Sequence, residues 1–192
     1  MTSAGAQRVG KAGDRSAGGT SDEGVDPVEW TRERWSEEGQ AAPEHFAAMA
    51  SLMRAHQQMT AVLDEVLKAH DLTRTGFLLL STLRIARAHS RPLGRLGRQM
   101  MVHPTTVTLV IDQLEKRGLV ARTRHVSDRR TILAQLTPDG EAAVTRATAD
   151  LAEQGFGLGG IDTGQAERLT AELATVRRAQ GDLEQSGGSP DG

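Results

Sequence analysis

Three threonines, Thr105, Thr106 and Thr108, follow His103 and Pro104, and nine Lys and Arg lie between Arg91 and Arg130 against only Asp112, Glu115 and Asp128. Short hydroxyl side chains at a helix start can donate to bases or phosphates, and a concentrated cationic block attracts a polyanion. That segment carries a net +6. The whole chain is −2, with 23 basic and 25 acidic residues, so the remainder holds 14 basic against 22 acidic. A mildly acidic chain with one basic block binds a polyanion there and does something else elsewhere. A solvated hairpin of ordinary Arg content would also explain the charge, but not the threonine-rich stretch beside it. The threonines alone fit equally well as β-branched residues on a solvent face.

Other chemistry lacks its minimum equipment. The chain contains no H-E-x-x-H, no G-x-S-x-G and no G-x-x-x-x-G-K-[ST], and its six histidines are scattered without ligand spacing. Gly155, Gly157 and Gly160 satisfy G-x-G-x-x-G, but a helix precedes them and Asp162 starts a separate one, so no strand leads into a phosphate loop. A hinge between two helices is the better account. With no cysteine there is no disulfide, thiolate metal site or cysteine oxidation sensor. No metal and no cofactor are expected, nor an enzyme.

The elements that must position the threonines are legible. Pro104 suits a first helical position, and Val107, Val110, Ile111 and Leu114 fall at i, i+3, i+4 and i+7, leaving Thr105, Thr106, Thr108, Leu109, Asp112, Gln113 and Lys116 opposite. Gly118 is placed to stop this helix with a positive φ. Leu119 to Arg124 and Thr131 to Leu136 are strand candidates around a cationic turn, His125 to Arg130. Helix, strand, turn and strand in this order make a reading helix with a two-stranded wing. Upstream, Arg91 and Pro92 open a supporting helix with Leu93, Leu96 and Met100 inward. Gly94 and Gly97 soften it by up to about 1 kcal/mol each.

The run VHPTTVTLVIDQLEKRGLVARTRHVSDRRTILAQLTPDG resembles the winged helix-turn-helix core of the MarR (multiple antibiotic resistance regulator) family of bacterial transcription factors. V-x-P-T-T-V-T, L-E-K-R-G-L-V and the D-R-R wing tip before L-T-P-x-G carry the likeness, which is strongest over residues 70 to 145 and extends more loosely over 44 to 180. The resemblance implies a mainly α fold with a small β-wing, built from a winged helix-turn-helix core and N- and C-terminal dimerisation helices. It implies a homodimer on double-stranded DNA, with Arg129 or Arg130 reaching the minor groove and Asp128 holding an arginine. His103, Thr105, Thr106 and Thr108 are then the groove-facing group, while Arg117 and Arg124, with Arg91, Arg95, Lys116 and Arg122, suit phosphate. The family more often has Ala or Glu where Gly94 and Gly97 stand.

The rest of the chain divides around this core. Residues 1 to 25 and 181 to 192 are Gly-, Ser- and Asp-rich tails expected to be disordered, and 26 to 43 form an extension with a short helix bearing both tryptophans, Trp30 and Trp35. That arm would pack only if something outside covered it, as part of a dimer or as a lid on a ligand pocket. Residues 44 to 72 and 138 to 180 read as dimerisation helices around the winged unit at 73 to 137. In the first, Phe46, Met49, Met53, His56, Met59 or Thr60 and Leu63 recur near 3.5 residues, and in the last Ala166, Leu169, Leu173 and Val176 keep heptad spacing. Thr73, Thr137 and either Asp162 or Thr163 read as helix caps, Gln165 standing three residues beyond Asp162. Ala142, Ala143, Val144, Ala147 and Leu151 lie on or near the inner face of the helix that follows Thr137.

The methionines are usual core filler, yet soft enough for an adaptable site. Met49, Met53, His56 and Trp30 are therefore the weak candidates for a small aromatic or lipophilic effector, with phase and packing as the plainer reading of each. No apolar run is long enough for a membrane span and no leader is recognisable, so a cytoplasmic regulator is expected. Two functions stay open: a sequence-specific, dimeric regulator, expected to be a repressor on a pseudo-palindromic operator, and a winged helix used only for protein contacts.

Overall fold

The computed structural model describes residues 24–125 and 130–182. The roles expected of Asp128 and Arg129, and nearly all of both tails, lie outside the described residues. The chain divides into two units, Met1–Leu52 and Met53–Gly192.

In the first unit, helix α1 spans Pro27–Glu37. The Asp26 side chain accepts from the Val28 N–H at 2.9 Å and Pro27 occupies the first turn, so the helix starts on a side-chain cap. Helix α2 spans Pro43–Lys68. Trp35 and Phe46 stack with ring centroids 4.1 Å apart and planes 8° from parallel, and the Trp35 indole N–H donates to the Ala41 carbonyl at 2.9 Å. This corrects the expectation that the tryptophan arm needs an outside cover: Trp35 finds both a stacking partner and an acceptor within its own unit. Phe46, expected in a dimer seam, gives a ring face to Trp35. Trp30 stays half exposed.

In the second unit, helix α3 spans Arg74–Ile85, and the Thr73 hydroxyl caps it by accepting the Gly76 N–H at 3.0 Å. Strand β1, Ser90–Pro92, leads into helix α4, Leu93–Gln99, and helix α5 follows at Pro104–Lys116. Strands β2, Val120–Arg124, and β3, Ile132–Leu136, form the wing hairpin. Helices α6, Pro138–Glu153, and α7, Thr163–Ala179, complete the order, with single 3-10 turns at Arg87–His89 and Gly155–Gly157.

The sheet is antiparallel in the order β1-β3-β2, with Arg91 opposite Ala134 and Arg122 opposite Ala134 from the other side. The sequence suggested two strands, with Arg91 and Pro92 opening a helix; instead they form an edge strand, and the helix begins at Leu93. Proline lacks an N–H to donate into a ladder, which an edge position tolerates. Its φ of −60° with ψ 136° then also starts α4.

One core holds these elements together. Leu79, Leu80 and Leu83 of α3, Leu96 of α4, Ile111 of α5, Ala134 of β3, and Val144, Ala147 and Leu151 of α6 are fully buried. Each large apolar side chain so buried contributes about 1.5–3 kcal/mol. Ala142, placed on or near the inner face by periodicity, is exposed.

Glycines mark the close approaches. A Cβ on Gly97 would sit 3.3 Å from the Val102 carbonyl oxygen and 3.4 Å from Val107 Cγ2, whereas one on Gly94 meets nothing. Gly97 therefore lets α4 press against the start of α5, so that only Gly94 fits the softening expected of both. Gly157, at φ +79°, lies where a Cβ would come within 2.8 Å of the Met59 carbonyl oxygen. Gly157 is thus seated against α2 backbone, whereas a Cβ on Gly155 or Gly160 would meet nothing. Asp162 accepts from the Gln165 N–H and the Gln165 side chain accepts from the Asp162 N–H, both at 2.8 Å, the reciprocal cap expected of that pair.

Candidate nucleic-acid interface

The start of α5 is fixed by His103. Its Nδ1 accepts from the Thr105 N–H at 3.3 Å and lies 3.0 Å from Thr105 Oγ1, while the Thr106 N–H returns to the His103 carbonyl at 2.9 Å. The 3.0 Å contact holds the Thr105 side chain against the ring, and which of the two donates follows from the imidazole tautomer. Thr108 Oγ1 donates back to the Pro104 carbonyl at 3.1 Å. Thr106, half buried, has no side-chain hydrogen bond to a described residue.

Val107, Val110, Ile111 and Leu114 are buried on the inner face of α5, and Thr105, Thr108, Leu109, Gln113 and Lys116 are exposed opposite. Gly118 at φ +71° ends the helix, and β2 begins two residues later. The wing then returns through a bond from the His125 N–H to the Thr131 carbonyl at 3.0 Å. Arg124 and Arg130, at the two ends of that return, are both exposed.

Two arginines expected at phosphate have tasks within the fold. Arg122 donates from one nitrogen to Asp112 and from the other to Glu115, and its N–H donates to Glu115 Oε1 at 3.2 Å. Burial opposes its charge, but the hydrogen bonds to Asp112 and Glu115 outweigh burial and raise the guanidinium pKa above its ordinary value. Arg117 donates to the Asp71 carbonyl, with the His70 carbonyl 3.5 Å from its second nitrogen. It thereby closes over carbonyls just beyond α2, where a cation also complements the helix dipole. His70 in turn sets Nε2 2.8 Å from Asp150 Oδ2 on α6.

The spacing of Asp112 and Glu115, three apart on one helix face and followed by an arginine at the next strand, is the signal that could have revealed the Arg122 pairing. Nothing in the pattern separated Leu109, 56 % exposed, from the surrounding polar face.

The residues expected at an effector or a dimer seam are open in this chain. Met49 and Met53 are 48 % and 65 % exposed, His56 is exposed, and Trp30 is half exposed. A shallow cleft in the first unit is lined by Thr31, Arg34, Trp35, Glu38 and Gln40, none of them among those four. On α7, Leu169 and Val176 are exposed and Leu173 half buried. Among the described residues no group of three or more His, Asp or Glu could hold a metal ion, and no helix is long and apolar enough to cross a membrane.

A supporting helix, an exposed second helix and a basic antiparallel wing on one core define a winged helix-turn-helix protein. The model of the MarR family matches residues 72–132. Over 134 residues the chain is 32% identical to YhbI of Bacillus subtilis, described as an uncharacterised HTH-type transcriptional regulator, covering 69% of this chain and 86% of that protein. Sco5413, a MarR family transcriptional regulator from Streptomyces coelicolor, shares 35% identity with a TM-score of 0.66 over 72% of this chain and 96% of its own. A structure of Bordetella bronchiseptica BpsR, reported as a mechanism for regulation of its DNA binding by 6-hydroxynicotinic acid, shares 26% identity with a TM-score of 0.60 over 66% of this chain and 90% of its own. The chain belongs to the MarR family of DNA-binding transcriptional regulators.

Proposed function

We propose that this protein is a homodimeric repressor that reads a pseudo-palindromic operator and is released by a small aromatic or lipophilic effector. The observation that carries the reading is α5 itself, with four residues buried behind it and a threonine-bearing face exposed between the wing and the support. Such a helix enters the major groove by its N-terminal turns, and the wing cations Arg124 and Arg130 meet the adjacent backbone or minor groove. Asp128 and Arg129 belong to the same wing by sequence. Two copies place their reading helices on half-sites about 10 base pairs apart.

The stripe of exposed Leu169 and Val176 with half-buried Leu173 supports pairing through α7, because an apolar stripe on a terminal helix is covered most simply by its own symmetric copy. Met49, Met53, His56 and Trp30 supply soft and aromatic surface for an effector. BpsR, whose DNA binding responds to 6-hydroxynicotinic acid, supports the idea of a small-molecule trigger. An effector acts only through its differential affinity for the DNA-competent and incompetent forms.

Selection of bound duplexes from a random pool, followed by titration of the winners against salt, tests the proposal. An enriched inverted repeat with steep salt dependence is expected. Weak, salt-labile binding without enrichment would overturn it in favour of a winged helix used for protein contacts.

A further inference from the structure

The outward face of α5 is less polar than its threonines suggest. The Thr108 hydroxyl donates to the Pro104 carbonyl at 3.1 Å, and the Thr105 hydroxyl lies 3.0 Å from His103 Nδ1, so both are engaged at the helix start. The methyl group of each stays available to a ligand. Asp112, next along the same face, is held by Arg122. Leu109 stands among them, four residues beyond Thr105 and one beyond Thr108, and 56 % of it is exposed.

An exposed leucine is ordinary on a protein surface. Here it lies within the first two turns of a reading helix, the part that approaches base edges, beside two threonines whose hydroxyls are engaged at the helix start. The one apolar group that the base edges of the major groove present is the C5 methyl of thymine. The geometry points to Leu109 as a specificity-determining residue that reads thymine C5 methyls in each half-site, with the methyls of Thr105 and Thr108 flanking it. This rests on the DNA-reading function proposed above.

Recognition of this kind is blind to the hydrogen-bonding pattern of the base and responds to one carbon atom. Deoxyuridine removes that carbon and leaves every donor and acceptor in place. The test uses the full chain and the operator obtained by selection, with thymine replaced by deoxyuridine one position at a time, symmetrically in both half-sites. Dissociation constants are measured at one fixed salt concentration for the natural protein and for Leu109→Ala, a substitution that favours the helix at a position outside the buried core.

At one or two positions per half-site the natural protein should lose about fourfold in affinity for each methyl removed, or about fifteenfold when both half-sites are changed. Leu109→Ala should lose most of that discrimination and bind thymine and uracil duplexes nearly alike. A natural protein indifferent to uracil everywhere overturns the inference. So does a variant that weakens on both duplexes by the same factor, although an operator bound tightly in that case would leave the regulator reading intact. A protein that prefers no duplex at all overturns both.

Discussion

Arg122 on β2 donates to Asp112 and to Glu115 on α5, so one guanidinium fixes the wing to the helix proposed to read DNA. The carboxylates retain 45% and 39% side-chain exposure, and the pairing's direct contribution to stability is therefore small, about 1 kcal/mol or less. Its larger effect is on charge. Arg122→Ala would leave two unneutralised carboxylates beside the DNA-facing surface, and DNA affinity should fall on the order of tenfold, the equivalent of about 1.4 kcal/mol, with little change in melting temperature. Arg122→Lys should recover only part, since an ammonium lacks the planar fork that spans two carboxylates. Anisotropy titrations beside thermal melts would check this; a large melting shift with unchanged affinity would contradict it.

Gly140, at the start of α6, should tolerate no side chain. A Cβ there would collide with the Leu119 carbonyl oxygen and come within 2.9 Å of Leu136 Cδ1. Thr137 Oγ1 donates to the Gly118 carbonyl at 2.7 Å in the same place, so the backbone cannot easily withdraw. Gly140→Ala is expected to destabilise by about 1–3 kcal/mol in urea unfolding despite alanine's better helix propensity.

His103→Ala removes the acceptor that caps α5 and should cost about 1 kcal/mol, whereas His103→Asn should retain most of it. Since the cap orders the first turn, DNA binding should weaken more with Ala than with Asn. Equal losses from both would point instead to a direct contact by the ring.

Thr106 and Arg130 should separate reading from holding. Thr106→Ala is expected to change relative affinities among operator variants, because its hydroxyl makes no side-chain bond to a described residue. Arg130→Ala should weaken every sequence alike and make the logarithmic salt slope shallower by about 1 unit. Interchanged signatures would reassign the two roles.

Val176→Glu places a charge in the exposed stripe of α7, where 51% exposure in the single chain predicts little effect on the fold itself. Sedimentation should then show monomers with near-native circular dichroism. An unchanged dimer would remove α7 from the interface.

The parts of this molecule set by local pattern were the parts legible in its sequence. The inner face of α5, the caps at Thr73, Thr137 and Asp162 and the turn at Gly118 all follow from spacings of seven residues or fewer, and the structure has each of them. What escaped notice depends on partners remote in sequence. Strand β1 exists because β3 is there to pair with it, and three residues ending in proline carry no strand signal of their own. The internal partners of Arg117 and Arg122 went unseen because composition records charge and not what lies across from it. Trp35 seemed in need of a partner because Phe46, eleven residues away, belongs to another helix.

The pairing of Ser90 with Gln135 has a kinetic side. About 45 residues lie between these two positions, and they include α4, α5 and most of the wing hairpin. Closing so long a segment carries an entropic penalty, so β1 is expected to dock after the helices and hairpin it spans. Once docked, it makes the head open as a single cooperative piece. Amide hydrogens of α4, α5 and β3 should therefore exchange together, and losing the β1–β3 pairing should loosen the whole head rather than one strand of it.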